Sequence, residues 1–208
     1  EFGLAAPFIF ENGGGVAWPD GEGYRIDVLG MDAASLAAEL PHVQSFLRRK
    51  VLSIVDMAVD EVVRRTGLSP EQAVKARARR SSLPFVVDGE VVTAGELNAV
   101  NGMLAPRGCA VVRGKRFFHL ISPGADKGAA AALIAATFRH AAPDGRIVTW
   151  AVGDSYNDVS LFAAVDCAVY VGDDGGLIDG MKHVVKSARP GPEGFVEAVE
   201  MLTGRPQR

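Results

Sequence analysis

The sequence predicts an α/β protein in which a doubly wound parallel sheet carries an inserted α+β domain. After Gly124, short apolar strands alternate with helices, as in a parallel sheet covered on both faces. Between residues 18 and 118, short strands are mixed with helices in no such order, which is typical of a separate α+β unit. The predicted domains are therefore 1–17 together with 119–208 for the sheet domain and 18–118 for the insertion.

The first half of the chain begins with strands and continues into helices. Residues 7–10 are apolar and stop at a glycine-rich stretch, which predicts a buried strand, and the alternation of 24–29 predicts a second. The apolar spacing of 32–49 and of 57–65 predicts two helices. A third helix is predicted to begin after Ser69, which is followed by Pro and, three residues on, by Gln.

The remaining elements follow from the same kinds of pattern. Strands at 84–87 and 90–92 are predicted to form a hairpin around Asp88 and Gly89, and Thr93 is predicted to cap a helix that reaches residue 104. The later predicted strands are 109–112, 117–121, 147–152, 167–171 and 184–185, and the later predicted helices are 126–140, 157–164 and 194–203.

The composition limits the partners of the protein. The 208 residues are 48% hydrophobic, with a net charge of -3 and a pI near 5.8, so no basic surface for nucleic acid or an anionic membrane is expected. No segment approaches the roughly 20 apolar residues that span a bilayer. Cys109 and Cys167 are flanked by apolar residues, which predicts buried thiols in the reducing cytoplasm.

An acidic motif, Gly153-Asp154-Ser155-Tyr156-Asn157-Asp158, directly follows the predicted strand 147–152. Ligands of open α/β sheets bind at the carboxyl ends of the strands, where this motif lies. Asp154 and Asp158 are four residues apart and can converge on Mg²⁺, which takes a few carboxylates together with water and phosphate oxygens. The alternative, that Asp158 only stabilises a helix start and Asp154 only forms a turn, stays open.

A lysine precedes this motif by one helix and one strand. Lys127 stands at the predicted helix start in Gly124-Ala125-Asp126-Lys127-Gly128, where its charge and the helix amides can neutralise a phosphoryl group. A single lysine at a helix start is more often a solvated surface residue. The order of lysine, helix, strand and acids is what makes the two motifs informative together.

That order matches the latter half of the motifs of haloacid dehalogenase phosphatases, and the chain more specifically resembles the mannosyl-3-phosphoglycerate phosphatase family of that superfamily. The matching segments run in family order from residue 7 to residue 195. They are residues 7–15, 114–119, 124–128, 153–158, 165–172 and 191–195. The resemblance implies a haloacid-dehalogenase-like core with a cap domain of the C2 type.

The resemblance also implies a mechanism. An aspartate attacks the phosphate, an aspartyl-phosphate forms and water hydrolyses it, with Mg²⁺ as the cofactor. Asp154 would be a direct metal ligand, Asp158 a second ligand or the holder of a metal-bound water, and Lys127 the residue that stabilises the phosphoryl charge. Asn12 and Asn157 would donate hydrogen bonds near the phosphate.

The implied substrate is a small phosphorylated sugar acid, with mannosyl-3-phosphoglycerate first and glucosyl-3-phosphoglycerate or another phosphosugar second. Lys115, Arg116 and His119 are the matching cap positions, and their charge suits a carboxylate. Arg79 also matches the family. The alternative for the first three, two exposed hairpin charges and a strand histidine, stays open.

Two features depart from the family pattern. Arg80 and Leu83 occupy positions that usually carry acids, so the sugar is not fixed by the sequence. The family motif Asp-x-Asp-Gly-Thr, with its nucleophile, does not occur in the 208 residues. We therefore expect the nucleophile on a segment outside this sequence, and a ligand-binding module without catalysis is the alternative.

Overall fold

The computed structural model describes residues 5–114 and 116–204, which form two compact units. The first unit contains residues 5–23 and 126–204, and the second contains residues 24–125. Among the described residues, no helix combines the length and the apolar character that a membrane span requires.

The first unit opens with an antiparallel hairpin. Strand β1 (Phe8–Phe10) pairs with β2 (Gly15–Asp20), with Phe10 opposite Gly15. A 3₁₀ turn, Glu11–Gly13, joins the two strands. Strand β2 was not predicted, because the glycine triplet indicates a break while Gly15 in fact begins the strand.

The rest of the first unit alternates helices with parallel strands. The order of the parallel sheet is β10-β9-β8, with β8 (Trp150–Gly153) beside β9 (Cys167–Tyr170) and β9 beside β10 (Val184–Lys186). Its helices are α5 (Lys127–Ala141), α6 (Val159–Ala163) and α7 (Gly191–Thr203). The predicted α/β class with a parallel sheet is confirmed.

Strand β8 begins later than the predicted residue 147, and the cause is a side chain. The Asp166 carboxylate accepts hydrogen bonds from the backbone N and the Oγ1 of Thr149, each at 2.8 Å. Pairing with β9 starts only at the next residue, where Trp150 lies opposite Cys167. Asp166 therefore sets the point at which the two strands begin to pair.

Within the described residues, β8 pairs only with β9, so its other edge carries no strand. Apolar side chains around this edge are exposed. On α7 the exposed apolar residues are Phe195, Val196, Val199, Met201 and Leu202, and near β8 they are Val148 and Trp150. On the same helix Glu197 is buried, so the outward face of α7 is more apolar than a solvated helix face normally is.

The second unit begins within strand β3 (Gly23–Val28) and contains an antiparallel sheet of order β4-β5-β7-β6. Its strands are β4 (Val51–Ser53), β5 (Ser82–Val87), β6 (Ala110–Arg113) and β7 (Phe118–Ile121). The predicted strand 90–92 is wrong. Strand β5 pairs instead with β4, from more than 30 residues upstream, and with β7, and the Asp88 amide donates to the Lys50 carbonyl at 2.9 Å.

The helices of the second unit are α1 (Ala33–Leu47), α2 (Val59–Thr66), α3 (Pro70–Arg77) and α4 (Ala94–Leu104). Ser69 and Thr93 each form a capping box with the residue three positions on, as the sequence predicts for Ser69. One core joins β5, β6 and β7 to α1 and α4 and includes Leu83 and Phe85. A second core packs around α2 and α3.

Candidate active site

The acidic motif lies at the carboxyl end of β8, as predicted. Gly153 ends the strand opposite Tyr170, and the Asp154 side chain is exposed directly after it. A Cβ on Gly153 would lie 2.6 Å from the Asp158 carboxyl carbon. Glycine is therefore required here, because the Asp158 carboxylate passes directly behind the strand end.

The Asp158 carboxylate is buried and fully engaged. Its Oδ2 accepts hydrogen bonds at 3.1 Å from the backbone N of Asp154, the backbone N of Ser155 and the Ser155 Oγ. Its Oδ1 lies 2.5 Å from the Nζ of Lys127. The structure therefore gives Asp158 two tasks, holding the loop that presents Asp154 and orienting the lysine.

The pKa of Asp158 is set by opposing effects. Burial raises the pKa of this carboxyl, but the hydrogen bond and charge of Lys127, together with the amides of Ser155 and Asp154, lower it by more. The net pKa lies below the usual value for Asp, so the carboxylate is ionised at neutral pH. The Asp158 carboxylate then lies as an anion directly against the Lys127 Nζ.

Close backbone contacts fix Lys127 in this position. A Cβ on Gly128 would overlap the Ser160 carbonyl, so the first turn of α5 lies directly against α6. A Cβ on Gly13, whose φ is +97°, would overlap the backbone between Asp126 and Lys127. Because both positions are glycine, the start of α5 packs closely between α6 and the β1–β2 turn.

Two asparagines lie at the same end of the first unit. Asn157 Nδ2 donates to Asn12 Oδ1 at 3.3 Å, and Ser155 Oγ donates to Asn157 Oδ1 at 2.6 Å. Asn12 has a positive φ of 59°, a conformation that Asn adopts more readily than most residues. The structure thus joins the loop after β1 to the loop after β8, beside Asp154.

The residues present are compatible with Mg²⁺. No described residue donates a hydrogen bond to the exposed Asp154 carboxylate, so its oxygens are available to a cation. Among the described residues no group of three His, Cys, Asp or Glu side chains could hold a metal. Mg²⁺ needs only one or two carboxylates when water and phosphate supply its other ligands, and this donor set fits that requirement.

The predicted substrate residues of the second unit lie on and around its sheet. Arg79 Nε donates to the Ser82 carbonyl at 3.3 Å, and its guanidinium also bonds the Ser82 hydroxyl. His119, in β7, lies opposite Pro84 and Val112. Burial and then the charge of Arg79 lower the pKa of His119, so its ring is neutral at pH 7.

Arg116 and Leu83 also have definite environments. Arg116 donates to the Thr66 carbonyl at 2.5 Å, at the carboxyl end of α2, which is a favourable position for a cation. Leu83 is fully buried in the core formed with α1 and α4. The departure from the family at Leu83 therefore changes a core position and not a substrate contact. Lys115 lies outside the described residues.

Sequence reasoning missed the residues that hold the site together. Ser155 and Asp158 form a capping box, for which the spacing Ser-x-x-Asp was a usable signal. No sequence pattern indicates the close contacts that Gly13, Gly128 and Ser160 make. Their importance follows only from neighbours that are distant in sequence.

Comparison with known proteins agrees with this geometry. No family model matches the chain. A glucosyl-3-phosphoglycerate/mannosyl-3-phosphoglycerate phosphatase of Persephonella marina is 27% identical over all of this chain and 80% of its own length. A mannosyl-3-phosphoglycerate phosphatase of Pyrococcus horikoshii is 28% identical over 83% of this chain and 70% of its own length.

Solved structures share the fold at low identity. A Thermoplasma acidophilum protein has a TM-score of 0.62 at 16% identity, over 97% of this chain and 74% of that one. A haloacid dehalogenase-like hydrolase of Bacteroides thetaiotaomicron has a TM-score of 0.53 at 16% identity, over 92% of this chain and 74% of that one.

The chain thus shares the fold of a solved haloacid dehalogenase-like hydrolase, with a parallel sheet, a second α+β unit and an acid–lysine pair at the strand ends. In sequence, the chain is similar at 27–28% identity to proteins named as glucosyl-3-phosphoglycerate or mannosyl-3-phosphoglycerate phosphatases.

Proposed function

We propose that this protein is a magnesium-dependent phosphatase that hydrolyses a phosphorylated sugar-glycerate, with mannosyl-3-phosphoglycerate as the first candidate and mannosylglycerate and phosphate as products. The observation that carries the proposal is the Lys127–Asp158 pair, 2.5 Å apart, beside the exposed Asp154 carboxylate. The substrate class is supported by the names of the relatives, two of which are named for both the glucosyl and the mannosyl compound.

The proposed roles follow from the chemistry of each group. Lys127 neutralises charge on the phosphoryl oxygens, assisted by the amides at the start of α5. Asn12 and Asn157 hold the phosphate or its waters by hydrogen bonds. Asp154 is the direct ligand of Mg²⁺, and Asp158 either coordinates as well or keeps a metal-bound water in place. The cation supplies Lewis-acid charge stabilisation when bound.

The nucleophile is proposed to be an aspartate on a strand that pairs with the open edge of β8. Its carboxylate oxygen forms a bond to phosphorus while the sugar-glycerate oxygen leaves and takes a proton. Water then attacks the aspartyl-phosphate and releases phosphate and the free carboxylate. A cavity of about 330 Å³ beside this edge, lined mainly by Val152, Asp154, Val171 and Phe195, supports the placement of such a strand.

The proposed cap comprises residues 18–118 and closes over the substrate to exclude water. In it, Arg79, Lys115, Arg116 and His119 are proposed to bind the glycerate carboxylate and the sugar. The neutral state of the His119 ring suits a hydrogen bond to a sugar hydroxyl better than an ion pair with a carboxylate.

The role of Arg116 makes a specific prediction. Arg116→Ala is expected to raise KM for the sugar-glycerate phosphate about tenfold, because a charge-assisted hydrogen bond contributes about 1.5–3 kcal/mol. KM for p-nitrophenyl phosphate, which has no carboxylate, is expected to change less than twofold. Steady-state kinetics on both substrates measure the difference.

Arg107→Ala is the matched control for this prediction. Arg107 is an exposed arginine of the same unit and pairs with Glu39 at 3.1 Å. It should leave both KM values unchanged. A melting temperature is needed for each variant, because Arg116 also bonds the end of α2. Equal increases of KM on the two substrates would refute the assigned role.

A substrate panel tests the proposed function itself. Phosphate release by the native protein with Mg²⁺ is measured on mannosyl-3-phosphoglycerate, glucosyl-3-phosphoglycerate and simple sugar phosphates. We expect the first two to exceed the others in kcat/KM by tenfold or more. Equal rates on all would remove the substrate assignment, while thermal stabilisation by these compounds without phosphate release would indicate a binding module.

A further inference from the structure

Tyr170 is a buried tyrosine whose position the proposed chemistry does not use. It ends β9, is 1% exposed and is among the largest fully buried side chains of the described residues. Its ring packs edge-to-face on Phe162, with centroids 6.3 Å apart and an angle of 85°. A phenylalanine would make the same ring contact, so the packing does not explain the hydroxyl.

The hydroxyl reaches the back of the loop that carries Asp154. A Cβ on Gly172 would overlap both the Tyr170 Oη and the Asp154 carbonyl oxygen. The phenol and the Asp154 carbonyl therefore both lie close against Gly172. The contact with Gly172 places the hydroxyl at the start of the loop that follows β9.

The backbone of Asp154 is thus held from two directions. Its amide donates to the Asp158 Oδ2 at 3.1 Å, and its carbonyl lies against Gly172 in front of the phenol. One residue earlier, the Gly153 carbonyl accepts from the Val171 amide at 2.8 Å. With the backbone fixed on both sides, the direction in which the Asp154 side chain leaves the backbone is set.

We propose that Tyr170 is a positioning residue that, through its hydroxyl and Gly172, fixes the direction of the metal-binding carboxylate of Asp154. The inference rests on the proposed function, in which Asp154 is the direct metal ligand. Groups that orient a metal ligand from behind typically contribute 10–100-fold to metal affinity. Tyrosine is suited to this task because its hydroxyl oxygen is the ring substituent that lies nearest to Gly172.

The test is Tyr170→Phe in the native protein, with Mn²⁺ as the probe. Mn²⁺ binding is followed by electron paramagnetic resonance, and the half-saturating Mg²⁺ concentration is measured for phosphate release. We expect the Mn²⁺ dissociation constant and the half-saturating Mg²⁺ concentration each to rise about tenfold. The kcat at saturating Mg²⁺ is expected to stay within about twofold, because the reacting groups are unchanged.

Phe162→Leu is the control for stability. It removes the ring that packs on Tyr170 but keeps the hydroxyl, so we expect a lower melting temperature with unchanged Mn²⁺ affinity. Asp154→Asn shows which part of the Mn²⁺ binding belongs to the site. Unchanged Mn²⁺ affinity in Tyr170→Phe, or an equal loss in Phe162→Leu, would overturn the positioning role.

The same experiment separates this inference from the function on which it rests. If the native protein binds Mn²⁺ through Asp154 and releases phosphate, but Tyr170→Phe behaves like the native protein, only the positioning role fails. If the native protein shows no Mn²⁺ binding that depends on Asp154, the metal role and the positioning role fail together.

Discussion

We expect Asp154→Asn to lower metal-dependent phosphate release by about a thousandfold. The substitution keeps the size of the side chain and removes its charge, so the loop that Asp158 holds is preserved while the anionic metal ligand is lost. Lewis-acid stabilisation by a bound cation contributes several kcal/mol, and about 4 kcal/mol corresponds to this factor. Phosphate release across a range of Mg²⁺ concentrations measures the loss.

Asp144→Asn is the matched control for Asp154→Asn. Asp144 is also an exposed acid of the first unit and lies in the loop after α5. It should retain full activity and the same Mg²⁺ dependence. Because Asp154 is exposed, its variant is expected to melt within a few degrees of the native protein. Retained activity in Asp154→Asn would show that this residue is only a turn former.

The strand and helix pattern of the first unit could be predicted because its signals are local. Asp154 follows a strand and Lys127 begins a helix in the structure as in the prediction. The predictions that failed were those that depended on which strands pair with each other. The segment 90–92 has a strand-like composition, but β5 takes β4 as its neighbour, and no pattern within 84–92 contains that choice.

The candidate site shows the same division. The sequence places Asp158 near a metal or at a helix start, and both alternatives treat it as a group that faces outward. In the structure it is buried, with both oxygens bonded, because Gly153 leaves room behind the strand end. Glycine has no side chain from which a role could be predicted. The importance of Gly13, Gly128 and Gly153 can therefore be recognised only when their tertiary neighbours are known.

The second large effect is expected at Lys127. Lys127→Met keeps the length of the side chain and removes the cation from a carboxylate whose side chain is 5% exposed. Breaking a buried pair from one side costs about 3–5 kcal/mol, and we expect the lower part of that range because Lys127 itself is 26% exposed. Phosphate release is expected to fall at least a hundredfold, since the lysine charge that neutralises the phosphoryl oxygens is lost.

Denaturant unfolding at several pH values shows how the stabilisation by the Lys127–Asp158 pair depends on pH. The pKa of Asp158 is lowered in the folded protein, so its stabilising effect is complete above the unfolded value of about 3.9 and is lost as the pH falls through the folded value. The difference in the free energy of unfolding between the native protein and Lys127→Met should therefore be largest near pH 7. It should shrink below about pH 4, where Asp158 becomes protonated and the lysine loses its partner.

Two further variants distinguish the ion pair from simple packing. Lys182→Ala removes an exposed lysine of the same unit and should change the free energy of unfolding by less than about 0.5 kcal/mol. Adding Asp158→Asn to Lys127→Met removes the unpaired buried charge, so the double variant should be more stable near pH 7 than Lys127→Met alone. A double variant that is less stable, with a difference independent of pH, would mean that Asp158 contributes through its hydrogen bonds to Asp154 and Ser155 and not through its charge pair with Lys127.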